Sequence, residues 1–184
     1  MTSHYPDSHK TGQQLRIETI EAMEAAIAAS GFPDGWKFGL LPDAEEWNPP
    51  TEEFIGALCT TQPGDRGQRF EVGLFHSPDG DPVAFATKMG EFWESQGYIV
   101  SVVAGIDLGE RRLTNLRADR PDGSLYAAVT AHTTSFNLHV YSECSTDPSL
   151  DKFAGPDGYR TLNDSDPDPY HPTNSPSITP YPRD

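Results

Sequence analysis

Asp81-Pro-Val-Ala-Phe85-Ala-Thr-Lys-Met89-Gly-Glu-Phe-Trp93-Glu-Ser-Gln-Gly97 runs straight into Tyr98-Ile-Val-Ser-Val-Val-Ala-Gly-Ile106, and this junction decides the fold. Asp81 supplies an N-cap acceptor, and Pro82 suits the first helical position because its missing amide hydrogen is not needed there. Val83, Phe85, Ala86, Met89, Phe92 and Trp93 recur at three- and four-residue steps and make one apolar stripe. Lys88, Glu91, Glu94 and Gln96 fill the remaining face. Gly97 is placed to stop the helix in a left-handed conformation. The β-branched run that follows is apolar on both faces, so it is expected to be a central strand.

Outward from there, Asp107-Leu-Gly-Glu110 can turn the chain and Arg111–Ala118 returns with alternating character. Arg120-Pro-Asp-Gly123 is the strongest local turn signal, with proline, aspartate and glycine each at its preferred position. Ser124–Ala131 puts Leu125, Ala127, Val129 and Ala131 on one face and Tyr126, Ala128 and Thr130 on the other. After a turn at Thr133–Ser135, Phe136, Leu138, Val140 and Ser142 alternate with Asn137, His139, Tyr141 and Glu143 up to Cys144. Residues Pro82–Cys144 therefore read as a helix followed by a four-strand antiparallel meander.

Upstream, residues 1–12 read as a flexible leader, and Gln13–Ser30 as a helix with Leu15, Ile20, Met23, Ala26 and Ile27 along one side. Trp36–Leu41 is expected to be a short strand, Thr51–Thr61 extended, and Gln68–His76 a strand alternating Phe70, Val72 and Leu74 with polar residues. The fold class is α+β: a mostly antiparallel sheet of about six to seven strands covered by two helices, in a single domain over residues 13–153. Residues 154–184 form a Pro/Asp-rich C-terminal tail. Asp164–Asp184 has too few apolar side chains to offset its ordering entropy. It is expected to be dispensable for folding and, where it acts, to lie extended on a partner.

The chain of 184 residues carries a formal net charge of −15. That balance argues against nucleic acid, whose phosphates require lysine and arginine, and against an anionic membrane surface. It suits a basic partner, although acidity also serves solubility. No stretch approaches the roughly 20 apolar residues of a membrane span. The N-terminal Met-Thr-Ser-His-Tyr-Pro-Asp lacks the basic and apolar regions of a signal peptide.

Two cysteines, Cys59 and Cys144, each close a predicted strand, where a bridge between neighbouring strands is easily made. A pair of reduced, buried thiols in a cytosolic protein is the other reading. Of the six histidines, His4, His9 and His171 fall in the terminal segments, and His76, His132 and His139 are not spaced as metal ligands. No metal or cofactor is expected. Asn137, His139, Tyr141 and Glu143 form a polar row, read either as a ligand-contacting row or as the wet face of a half-exposed sheet. The sequence holds no nucleophile elbow, phosphate loop or zinc-protease motif.

Five short features together resemble the mature domains of small actinomycete secreted lipoproteins of uncharacterised function. They are the helix Gln13–Ser30, Cys59 on an early strand, Phe92-Trp-Glu-Ser-Gln-Gly-Tyr98 at a helix-to-strand junction, Arg120-Pro-Asp-Gly123 in a hairpin, and Ser142-Glu-Cys144. The resemblance implies a Cys59–Cys144 bond and a cell-envelope location, with a leader removed from this chain; use inside the cell is the alternative. The expected function is a non-catalytic accessory or protein-binding domain, contacting its partner through the sheet face or the tail. A second hypothesis is an acidic inhibitor or immunity protein that captures a basic partner. A third is a hydrolase whose site would combine His139 with Glu143 or Tyr141, residues at two-residue spacing on one strand.

Overall fold

The computed structural model describes residues 6–49, 54–59, 67–77, 80–108, 111–152 and 159–160. Most of the tail read at 154–184, including all of Asp164–Asp184, lies outside the described residues. The elements are α1 (Gly12–Ser30), β1 (Phe54–Cys59), β2 (Gly67–His76), α2 (Pro82–Ser95), β3 (Ile99–Leu108), β4 (Arg111–Asp119), β5 (Leu125–Ala131), β6 (Phe136–Tyr141) and the two-residue β7 (Tyr159–Arg160). The class is α+β, as read. The strand order is β3-β4-β5-β6-β2-β1-β7, and every pairing is antiparallel. The meander β3–β6 is present, and β2 joins it by pairing Glu71–His76 with Phe136–Tyr141. The other end of β2, Gly67–Phe70, pairs with β1.

Both helices lie on one face of this sheet. α1 packs on β2 and β6, α2 on β3, β4 and β5, and the helices touch each other. Thr11 caps α1 by accepting from Gln14 N–H while the Gln14 side chain accepts from Thr11 N–H. Asp81 accepts from Val83 N–H at 2.9 Å at the start of α2. Gly31 (φ 89°) and Gly97 (φ 88°) end the helices in the left-handed region, where other residues are strained. The core joins Leu15, Ile20, Met23 and Ile27 of α1 and Phe85, Met89 and Trp93 of α2 to Phe70, Leu74, Val129, Phe136 and Leu138 of the sheet. No helix among the described residues is long and apolar enough to cross a membrane.

Three expectations are corrected. β3 is an edge strand rather than a central one, with Ile99, Val102 and Val103 exposed at 59%, 69% and 61%. Its apolar residues on both faces satisfy strand propensity at an edge as well as at the centre. Trp36–Leu41 is not a strand. Lys37 alone bridges, to Phe75 on one side and Glu46 on the other, and the chain then leaves the sheet with Leu40 and Leu41 exposed. Val83 of the α2 stripe is also exposed, while Pro82 and Phe85 of the same turn are buried.

Part of the segment read as a leader is tied to the domain. Ser8 N–H donates to Cys144 C=O (2.9 Å), Ser145 Oγ to Lys10 C=O (2.7 Å) and Gly12 N–H to Ser149 Oγ (2.9 Å). The Asp7 carboxylate accepts from both the N–H and the hydroxyl of Thr146.

Candidate functional site

The polar row read on the last strand is split by the structure. Asn137, His139 and Tyr141 alternate with the buried Phe136, Leu138 and Val140, so they lie on the sheet face away from the helices. His139 is paired with Gly73 across β2 and its ring lies flat on that glycine: a Cβ there would stand 2.6 Å from His139 Cε1. Burial pushes the His139 imidazole below its ordinary range, against a pull upward from the Glu71 carboxylate. The Tyr141 ring centroid lies 6.0 Å from that of His139, and the Arg69 guanidinium sits over the Tyr141 ring at 5.1 Å while donating to Glu71 at 2.6 Å. The row is thus a tier of side chains packed against one another. Glu143 is not part of it. Its carboxylate meets Lys10 Nζ at 2.5 Å, so the His139–Glu143 pairing that a hydrolase would use is not assembled.

Glu143 instead lines a cavity of about 550 Å³ on the helix side, between α1 and the β4–β5 hairpin. That volume falls within the range of small-molecule sites. Glu18, Thr19, Glu21 and Ala22 of α1 form one wall, and Val140 and Ser142 lie at its floor. Arg120, Pro121 and Asp122 of the hairpin form the opposite rim. Lys10 closes one end by joining Glu18 (2.8 Å) to Glu143.

A β-bulge builds the aromatic wall. Ala118 pairs with Ala127 but Asp119 with Leu125, so Tyr126 is an extra residue on β5. The expected alternation placed Tyr126 with Ala128 and Thr130. The bulge turns it to the helix side, where it stacks on Tyr98 with ring centroids 3.7 Å apart and planes 11° apart. Burial, and then the hydrogen bond with Tyr98, push the Tyr126 phenol far above its ordinary range.

Arg120 lies over the Tyr126 ring at 5.1 Å and donates through Nη1 to Leu125 C=O and through Nη2 to Tyr141 C=O, both at 2.7 Å. Its guanidinium is lowered by burial, with Glu143 acting in the opposite direction. Arg120 therefore holds the hairpin onto β6 as well as lining the cavity. From the sequence, Arg120 is legible only as the first residue of a turn, and nothing local marks Tyr98, Tyr126 and Lys10 as neighbours.

Cys59 and Cys144 are bonded, with Cα atoms 6.1 Å apart and a separation of 85 positions in sequence. The bond fastens the end of β1 to the segment that leaves β6, beside the Glu143 end of the cavity. Among the described residues, no three His, Cys, Asp or Glu side chains converge as metal ligands. No family model, curated protein or solved structure matches this chain.

Proposed function

We propose that this chain is a non-catalytic accessory domain that binds a protein partner outside the cytoplasm, at the cell envelope. The observation that carries this reading is the Cys59–Cys144 bond, since structural disulfides persist in oxidising compartments and are rare in the reducing cytosol. The edge strand β3 supports the binding role. Among the described residues its outer side has no neighbouring strand, and the exposed Ile99, Val102 and Val103 there suit an extended segment of a partner protein adding a strand.

Trapping thiols in intact cells tests the location. Alkylation of the living culture should leave both cysteines unmodified, with two labels gained only after reduction. Chain recovered with Cys59 and Cys144 both alkylated before reduction sinks the envelope reading.

A second reading, electrostatic capture of a basic partner, draws on the net charge of −15. Binding to that partner should weaken steeply between roughly 0.05 and 0.5 M salt, over which the screening length falls from about 14 to about 4 Å. Salt-indifferent binding would count against it.

A further inference from the structure

β3 has β4 on one side and, among the described residues, no strand on the other, whereas the opposite edge of the sheet carries β7 on Phe54 and Ile55. Edge strands of monomeric proteins are commonly blunted by a charged side chain or a proline. Tyr98–Ile106 has neither, in a chain with 28 acidic and 13 basic residues. Ile99, Val102 and Val103 stand exposed there instead. A bulge between Val102 and Ala104 bends the strand and leaves Ile99–Val102 as the straight run.

These residues discriminate between occupants. The chain's own tail is a poor one, since six prolines between Pro167 and Pro182 withhold the amide hydrogens that a ladder needs. A basic partner gains nothing from an uncharged edge. A second copy fits. Two chains at −15 repel one another wherever their carboxylates approach, so they meet closely only through a surface without charge, which this edge provides. Pairing there is also self-matching. A two-fold axis normal to the sheet sets the same run antiparallel to itself, with like faces together and β-branched side chains opposed.

We propose that two copies of this chain pair through β3, Ile99–Val102 of one against the same run of the other, in a weak two-fold dimer. The proposal rests on β3 being an edge that takes an added strand, and makes that strand a second copy's. Because the run is short, the expected Kd is on the order of 100 µM, at the weak end for small interfaces.

Sedimentation velocity on the full chain, from about 5 to about 500 µM and at roughly 0.05 and 0.5 M salt, tests it. Dimer should appear with rising concentration and tighten at least about threefold at the higher salt, because screening removes repulsion between like-charged copies. That sign is opposite to the one expected for capture of a basic partner. Val102→Glu changes a side chain exposed in the monomer and should weaken the dimer about tenfold or more, since it brings like charges together across the new ladder. Val102→Thr stays β-branched and uncharged and should retain it. Amide exchange on the wild-type chain makes the result independent of how a variant folds: residues 99–102 should gain protection in concentrated over dilute sample. A monomer at both salts, a dimer that weakens with salt or ignores Val102→Glu, or protection confined to other residues overturns self-pairing. Thiol trapping reports separately on location, so a monomer that keeps Cys59 and Cys144 bonded in cells removes the dimer and leaves the envelope reading in place.

Discussion

A Cβ on Gly67 would lie 2.5 Å from the Sγ of Cys144 and 3.3 Å from that of Cys59, so the disulfide rests directly on the glycine where β2 begins. Gly67 is buried and pairs with Cys59, and Ser145 C=O, which follows the second cysteine, lies 3.3 Å from the same point. Three chain segments converge on one position with room for no side chain.

Gly67→Ala should therefore destabilise the oxidised protein by about 1–3 kcal/mol, the usual cost of forcing volume into a packed site. Urea unfolding measures it. In a Cys59→Ala/Cys144→Ala background the sulfurs are gone and the penalty should shrink, so the double-mutant cycle reports a coupling between Gly67 and the bond. Equal penalties in both backgrounds would show that the glycine is needed for another reason.

Breaking the disulfide alone removes a constraint that links positions 85 apart in sequence. Loop-closure entropy puts the loss at roughly 4–5 kcal/mol, with measured values more often about 2–4. The expected outcome is a lower urea midpoint under reductant. A midpoint that does not move would mean that the ends of β1 and β6 are held equally well by their other contacts.

His76 and His139 set a pH dependence. Burial lowers both imidazoles, and His76 Nδ1 is buried with no hydrogen-bond partner among the described residues. Its Nε2 is engaged with Asp34 C=O at 2.9 Å. The unfolded chain takes up these protons near the ordinary value of 6.5, while the folded chain resists until lower pH. Their contribution to stability is thus present above 6.5 and is lost as pH falls below it. The melting temperature should drop between about pH 7.5 and 5.5, and His76→Gln/His139→Asn should flatten that slope.

Arg120→Met should cost about 1–3 kcal/mol, because it leaves the carbonyls of Leu125 and Tyr141 without their donors in a half-buried site. Arg120→Lys should recover only part of this, since an ammonium on a flexible stem does not reproduce the planar fork over Tyr126. Full recovery by lysine would reduce the role of Arg120 to its charge.

Asp7 gives a local test of the N-terminal strap. Burial raises its carboxyl, but hydrogen bonds from the Thr146 hydroxyl and from the His9 and Thr146 amides outweigh that and hold it below the ordinary carboxylate range. Its contribution is present above the ordinary value of 3.8 and is lost as pH falls through the lowered one. Thr146→Val should move the Asp7 titration, followed by NMR, back toward the ordinary value. No movement would place the strap elsewhere in solution.

What the sequence determined by itself is local. The apolar stripe of α2, the Asp81-Pro82 start, the Gly97 stop and the Arg120-Pro-Asp-Gly turn are each specified by residues within a few positions of one another. That is why the helix and the β3–β6 meander were legible. Tertiary structure decided what depends on distant pairings. Whether Tyr98–Ile106 stands at the centre or the edge of the sheet depends on where β2 inserts, and β2 inserts beside β6. The face that Tyr126 takes depends on a bulge against β4, since one extra residue reverses a period of two. Lys10 reaches Glu143 only because residues 8–10 lie along the segment that follows β6, and Cys59 reaches Cys144 only once the ends of β1 and β6 have been brought together. Periodicity reports which side of an element meets apolar surroundings; it carries no information on which other element provides them.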